Sequence, residues 1–452
     1  MKEYTDDYLN TVKDIVESND VTRAKAFLAE LHPADIAELF KDLDIDEAEF
    51  LNGLLDEETA AEVLMEMDEE DRRKLLANMP KEDIAKQIEH LDTDDAVDLI
   101  QDLDEEDRDE VISHIDDVEQ AGDIIDLLKY DDDTAGGLMG TEMIVVNENW
   151  SMPECLKQMR AQAEDMDEIY NVYVVDDENR LKGVFPLKKM ITHPSVSKIK
   201  HVMDPEPFAV KTDTPIEDVA HDFEKYNLAA MPVIDSIGRL VGRITFDDVM
   251  DKVREYSERD YQLASGISTD VESDDKIFDQ TKARLPWLLI GMIGGLTNSV
   301  ILGGFEKGFA TNPTMALFIP LIGGTGGNVG MQSSAIIVQG LANGSLDLKD
   351  SVKQIWKELS VGLLNATIIS LLVFVYNCFR LDPLNPTTIA VSMSLFAVVI
   401  FASVFGTFVP LTLEKLKIDP ALATGPFISI TNDIIGMLIY MLVSSAILSI
   451  MS

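Results

Sequence analysis

The sequence predicts a multidomain chain: an all-α superhelical N-terminal domain, an α/β tandem pair, a connecting helix and an all-α transmembrane domain of five helices. Three observations predict it. Charge is segregated: of a net −45, residues 285–452 contribute −1 (eight Asp/Glu against seven Lys/Arg), so residues 1–284 carry −44. Two internal repeats fill the acidic part, one with a period of twelve and one at an offset of 59. The rest divides into five apolar segments, each of the ~20 residues needed to cross ~30 Å of hydrocarbon. The expected boundaries are 1–130, 131–248, 249–280 and 281–452.

Residues 32–115 divide into seven units of twelve, beginning at His32, Asp44, Asp56, Asp68, Pro80, Asp92 and Asp104. Apolar residues favour positions 8, 9 and 12, often with 5, which is helical spacing. Position 1 is usually Asp, a good N-cap, with more acids in the first turn. Each helix is too short to stand alone, so the units are expected to stack into a superhelix. Solvated caps account for most of the acids.

In the second repeat, Val172-Tyr-Val-Val-Asp-Asp-Glu-Asn-Arg-Leu-Lys-Gly-Val-Phe185 aligns with Met231-Pro-Val-Ile-Asp-Ser-Ile-Gly-Arg-Leu-Val-Gly-Arg-Ile244. Each half reads as a strand, a turn at Asp-x-x-x-Arg and a second strand. Amphipathic helices at about 152–164 and 215–227 precede them. This arrangement resembles a tandem CBS-domain pair. Such pairs commonly bind adenine nucleotides, with a Thr/Ser-x-x-Asp holding the ribose. The second half has Thr245-Phe-Asp-Asp248, whereas the first has Pro186-Leu-Lys-Lys189, so the resemblance implies one nucleotide site at most, at Thr245 and Asp248. A polar helix carrying Asp247, Asp248, Asp251, Glu255, Glu258 and Asp260 follows, and reads either as a solvated linker or as a coupling element.

The apolar segments lie at about 285–304, 314–340, 359–379, 387–413 and 421–450. Lys282, Arg284, Lys349, Lys353, Lys357, Lys415 and Lys417 flank one side, against Lys307 and Arg380 on the other. The positive-inside rule puts the first side in the cytoplasm and the C-terminus outside. The N-terminal Met-Lys-Glu-Tyr-Thr-Asp-Asp has no apolar h-region, so no signal peptide is expected. The second segment has five glycines among residues 320–330, which disfavour a regular helix. Irregular backbone inside a membrane must be buried in protein or line a wet cavity. Close helix packing through small residues explains the glycines. It does not explain Asn328 and Gln332, which would share a helix face.

Asp433 sits near the middle of the run from Ala421 to Ile450, which has no Lys or Arg. A charge there costs at least ~2.5–3.5 kcal/mol and marks an ion or proton path. Gly425, Ser429 and Gly436 are expected on its face, with Ile434, Met437, Leu438 and Met441 opposite. A protonated Asp making an interhelical hydrogen bond is the competing reading.

Composition excludes several functions. So negative a chain is a poor nucleic-acid partner. Cys155 and Cys378 lie in different parts, so a disulfide is not expected. Six scattered His and no nucleophile–base pair argue against an enzyme, and the absence of a Walker A motif argues against an ATP-driven pump.

The order of domains, with Pro320-Leu-Ile-Gly-Gly-Thr-Gly-Gly-Asn-Val-Gly-Met-Gln332 and Thr424-Gly-Pro-Phe-Ile-Ser-Ile-Thr-Asn-Asp433, resembles the MgtE-type magnesium channels and transporters over essentially the whole chain. The resemblance implies a homodimer in the cytoplasmic membrane with one pore between the subunits and Asp433 in it. It also implies acidic cytosolic domains that bind Mg²⁺ and close the gate, with the connecting helix as plug. By position, Asp92, Asp95, Glu217, Asp248, Asp251 and Glu255 are regulatory-metal candidates, with Asp419 near the cytoplasmic mouth. Asn432 and Asn328 are candidates beside Asp433. Mg²⁺ usually keeps several waters, so its pore needs few direct ligands. No Cys or His accompanies Asp433, which disfavours soft metals. Two rivals share these features: a CBS-regulated transporter of Mn²⁺ or Co²⁺, and a membrane-anchored nucleotide sensor that transports nothing.

Overall fold

The computed structural model describes residues 12–451, apart from 17, 19, 164–165, 167–168, 195, 270, 272–276, 343–344, 347–348, 350, 382, 384 and 424. The chain forms two compact units, Met1–Val253 and Arg254–Ser452.

In the first unit every twelve-residue repeat folds as one helix, and position 1 of each is its N-cap. The helices are α2 (Pro33–Lys41), α3 (Ile45–Asn52), α4 (Glu57–Glu66), α5 (Glu69–Asn78), α6 (Lys81–Ile88), α7 (Thr93–Gln101) and α8 (Glu105–His114). The period reaches one unit further back: α1 (Val21–Leu28) is capped by Asp20, whose carboxylate accepts from Arg23 N at 3.1 Å. At the other end Asp117 caps α9 (Val118–Leu127) after a thirteen-residue step from Asp104. Positions 5, 8 and 9 form the core, as in Ile36, Leu39 and Phe40 or Ala60, Val63 and Leu64. Each of these helices is only two to three turns long, too short to persist in water, so packing must hold it. α2 packs on α4, α4 on α6 and α6 on α8, which produces the stacked superhelix. Arg72 and Arg108 break the apolar rule at position 5. Arg72 Nε donates to Asp102 at 2.5 Å, which ties its repeat to the next but one, and Arg108 donates to Gln101 O at 2.7 Å, which ties its repeat to the preceding one.

The α/β halves each form a three-stranded sheet. One contains β1 (Ile144–Asn147), β2 (Val172–Val175) and β3 (Leu181–Phe185), with α10 (Met152–Gln162) between β1 and β2 and α11 (Leu187–Thr192) after β3. The other contains β4 (Val210–Lys211), β5 (Ala230–Ile234) and β6 (Leu240–Thr245), with α12 (Ile216–Tyr226) before β5. In both, the first pair is parallel and the second antiparallel. The parallel edge strands add to the strand–turn–strand pattern read from the repeat. The turns use a left-handed residue at equivalent places, Asn179 (φ 59°) and Gly238 (φ 87°). They also pair the halves: Leu181 N donates to Gly238 O at 3.1 Å and Leu240 N to Asn179 O at 3.0 Å.

α13 spans Phe246–Ser265 and so covers the first part of the connector expected at 249–280. Residues 277–280 already belong to α14 (Ile277–Gly304). The second unit continues with α15 (Glu306–Thr311), α16 (Ile319–Ala342), α17 (Ser351–Arg380), α18 (Pro386–Lys415) and α19 (Pro426–Met451). α14, α17, α18 and α19 are long and apolar enough to cross a membrane. The glycine-rich segment is not irregular, contrary to expectation. α16 is one uninterrupted helix of 24 residues, about 36 Å long at 1.5 Å per residue. Its glycines serve close approach instead: a Cβ on Gly327 would sit 3.1 Å from Ser429 Oγ.

Candidate functional site

Among the described residues, the first unit gathers six carboxylates around one cavity of about 260 Å³: Asp92, Asp94, Asp95, Glu142, Asp247 and Asp248. Asp92 is the N-cap of α7, with Asp94 and Asp95 in that helix's first turn. Asp247 and Asp248 open α13, directly after β6. Glu142 lies two residues before β1 and is held by Thr93, whose N donates to Oε1 at 3.0 Å and whose Oγ1 lies 3.1 Å from Oε2. One oxygen each of Asp92, Asp94 and Glu142 lie within 4.8 Å of one another.

Among the described residues one cation lines this cavity, Arg243 on β6. Its Nη2 pairs with Asp92 Oδ2 at 2.8 Å and its Nε donates to the Glu142 carbonyl. Burial acts to lower the guanidinium pKa, yet Asp92, Asp94, Glu142 and Asp248 together raise it. The acids are pushed the other way. Burial, then the charges of Asp248, Asp95, Glu142 and Asp92, hold Asp94 well above the usual carboxylate range. Asp95 is pushed up to about 7 by burial, then by Asp248, Asp98 and Asp92. Glu142 rises through burial and the charge of Asp92. Asp248 rises through burial, although hydrogen bonds from Thr245 pull against it. One guanidinium cannot neutralise six carboxylates, so the site favours protons or hard cations. Oxygen-only donors suit Mg²⁺, which takes one or two carboxylates and keeps waters.

Thr245 also lines this cavity, beside Asp248. Its N donates to Asp248 Oδ2 at 3.0 Å and its hydroxyl donates to the same oxygen. This fixes the carboxylate at the cavity mouth, where Tyr170 and Met166 add an apolar wall. In the first half the equivalent residue is Lys189, whose Nζ donates to Val202 O at 2.8 Å and pairs with Asp204 at 2.5 Å. A cation tied down this way offers no acceptor to a ribose.

The cavity thus unites Asp92, Asp95, Asp248 and Thr245 but not Glu217, Asp251 or Glu255. Glu217 is exposed in the first turn of α12, and Asp251 and Glu255 are exposed on α13. Asp94, Glu142, Asp247 and Arg243 were missed as site residues. Arg243 had a signal: it stands where the first half has Val184, a charge at an apolar strand position. Glu142 has none, because it lies outside both repeats.

In the second unit, Asp433 is half-buried on α19. A Cβ on Gly327 would lie 3.3 Å from its Oδ1 and one on Gly323 3.6 Å, so the glycines of α16 leave it room. Ser429 shares this face, but Gly425 does not: it precedes α19 with φ +52°. Met437 and Met441, expected on an opposite face, are buried in the unit's core with Phe318, Val398 and Tyr440. Asn432 is turned away from Asp433. It is buried against Gly330, and neither side-chain polar atom has a partner among the described residues. Asn328 and Gln332 do share a face of α16, which is exposed in the single chain together with Gly324. Asp419 is exposed and accepts from Ala421 N at 2.8 Å, starting the 3₁₀ turn Pro420–Ala423.

A carboxylate and an amide stripe in an apolar helical unit, with an acidic oxygen site in the other unit, describe the equipment of a divalent-cation transporter. Sequence profiles agree. The MgtE intracellular N domain matches residues 31–133, the CBS domain matches 135–195 and 199–255, and the divalent cation transporter profile matches 319–443. The chain is 35% identical over 328 residues to the magnesium transporter MgtE of Thermus thermophilus, covering 71% of this chain and 72% of that one. It is 32% identical to the magnesium transporter MgtE of Enterococcus faecalis, covering 72% of each. The crystal structure of the cytosolic domain of the Mg²⁺ channel MgtE in complex with ATP superposes with a TM-score of 0.51 at 32% identity, over 54% of this chain and 99% of that one. The chain belongs to the MgtE family of magnesium transporters.

Proposed function

We propose that this chain is a Mg²⁺ channel or transporter of the cytoplasmic membrane, working as a homodimer and closed by intracellular Mg²⁺. The functional divisions are 1–130, 131–248, a connector at 249–280 and a five-span domain at 281–452, with the N-terminus inside and the C-terminus outside. One observation carries the reading. Asn328 and Gln332 form an exposed stripe on α16, and Asp433 stands half-buried on the neighbouring α19. Unpaired amides and a carboxylate are costly against lipid, so this face requires water or a second subunit. A water-filled path between two subunits supplies both. Asn432, buried against Gly330, then supports the path from behind and does not line it. Mn²⁺ and Co²⁺ are the competing cargo, and the absence of soft ligands near Asp433 favours Mg²⁺.

Regulation is assigned to the acidic cavity. Asp92, Asp94, Asp95, Glu142 and Asp248 come from the helical domain and the CBS pair, and a divalent ion would draw these together. Glu217, Asp251, Glu255 and Asp419 remain candidates for further ions at exposed surfaces. Thr245 and Asp248 are assigned to an adenine nucleotide, supported by the similar cytosolic domain that was solved with ATP. The end of α13 supports the plug role: a Cβ on Gly266 would lie 2.5 Å from Pro426, at the start of α19. Mg²⁺ uptake into proteoliposomes, with and without Mg²⁺ on the soluble-domain side, tests the scheme. Removing residues 1–130 should weaken inhibition by that Mg²⁺ and leave flux intact. Equal inhibition with and without residues 1–130 would contradict this gating role.

A further inference from the structure

Among the described residues of the second unit, one charged side chain is buried, and it is not Asp433. Glu358 on α17 is 7% exposed. Ser333 Oγ on α16 donates to its Oε1 at 2.6 Å, and Ser403 Oγ on α18 donates to the same oxygen at 3.4 Å. The first distance is in the range of a hydroxyl bonded to a carboxylate. A buried carboxylate in an apolar bundle is expensive and rarely kept without a task. No step of the cation path described above uses it.

The packing of α16 explains what it could do. Between the buried Ile322 and Ile337 the inward surface of that helix carries no large side chain, since Gly326, Gly327, Gly330, Ser333 and Ser334 are all buried there. Asn432 occupies the space a Cβ on Gly330 would take, and Gly406 of α18 presses on the Gly330 backbone. Such surfaces allow close approach but offer few knobs that lock rotation about the helix axis. Gly362, one turn after Glu358, meets Ser403 in the same way, with 2.8 Å from a Cβ to the serine Cβ. Along this stretch, between Ile322 and Ile337, polar pins add what interlocking side chains do not supply. Ser333 lies about 100° around the helix from Gln332 and about 140° from Asn328, at 3.6 residues per turn. Holding Ser333 inward therefore turns both amides outward.

We propose that Glu358 is a positioning residue: by accepting from Ser333 and Ser403 it fixes the rotation of α16 and keeps Asn328 and Gln332 on the cation path. This rests on the reading of that face as the path. The test uses the full-length protein in proteoliposomes with Cys155 and Cys378 replaced by alanine. Asn328→Cys on the exposed face should react quickly with a water-soluble maleimide, and Ser334→Cys on the buried face slowly. Adding Glu358→Ala should shrink the ratio of the two rates about tenfold, as expected for losing hydrogen bonds to a charged group. In the protein without the cysteine probes, Glu358→Ala should lower Mg²⁺ flux by a similar factor. Glu358→Gln keeps an acceptor oxygen and should preserve both ratio and flux. An unchanged ratio in Glu358→Ala, or a collapse in Glu358→Gln equal to that in Glu358→Ala, would overturn the role. Should Glu358→Ala fail to fold, the Ser333→Ala/Ser403→Ala pair removes the donors and leaves the carboxylate in place. An unchanged ratio there overturns the role equally. A parent protein whose Asn328→Cys does not react contradicts the path itself, a failure distinct from that of the pin.

Discussion

At the scale of single residues, the cavity in the first unit is a set of carboxylates held too close together. Asp95 has a pKa near 7, raised by burial and then by Asp248, Asp98 and Asp92. For a carboxyl whose folded pKa lies above its unfolded one, the folded state binds more protons. Its contribution to stability is complete below the unfolded value of 3.8 and is lost as pH rises towards about 7. Asp94, Glu142 and Asp248 shift in the same direction. A fragment of residues 1–265 in EDTA should therefore melt at a higher temperature at pH 5 than at pH 8. Millimolar Mg²⁺ should remove much of that difference, because a bound cation stabilises the ionised site. Thermal melts at the two pH values check this, and a metal-free fragment more stable at pH 8 would contradict it. The sequence showed half of this site. Asp92 and Asp95 were legible only through the resemblance to the MgtE family, and Asp248 also through its Thr-x-x-Asp motif; the repeat by itself marks Asp94 no differently from Asp95. Glu142 reaches the cavity only through the fold, and no local pattern marks it.

At the scale of elements, the twelve-residue period predicted every helix start from Pro33 to Glu105, because a short helix depends on its N-cap and the cap sits at a fixed repeat position. The glycine-rich segment misled for a physical reason. Helix propensity is measured in water, whereas an apolar setting makes an unpaired backbone group far more costly than a glycine. α16 accordingly stays helical and uses its glycines for contact. Gly425 has a different task. With φ +52° it occupies a conformation a side chain resists, and Ala264 O lies where its Cβ would be. Gly425→Ala should loosen the end of α13 from the start of α19. The predicted outcome is flux that is inhibited less by Mg²⁺ on the soluble side, by several-fold, with uninhibited flux near that of the parent. A dose–response of uptake against that Mg²⁺ reads it directly, and an unshifted curve contradicts the docking role.

At the scale of the whole molecule, charge is divided as function requires. The acidic part carries −44 of the net −45, and the apolar part has few charges near its core, Asp433 and Glu358 among them. Self-repulsion of the first part is screened beyond ~8 Å at physiological salt, so only clustered carboxylates such as those around Asp94 respond strongly to a divalent ion. An ion bound there shifts the closed–open balance only to the extent that it prefers the closed arrangement. The central claim is that the cation passes Asp433. Asp433→Asn keeps the shape and removes the charge that draws a hydrated divalent ion. The deciding measurement is initial Mg²⁺ uptake into proteoliposomes by this variant, reconstituted at the same density as the parent. The account predicts a loss of about tenfold or more, the scale of one lost charge–ion interaction. Undiminished uptake by a folded Asp433→Asn protein would contradict it.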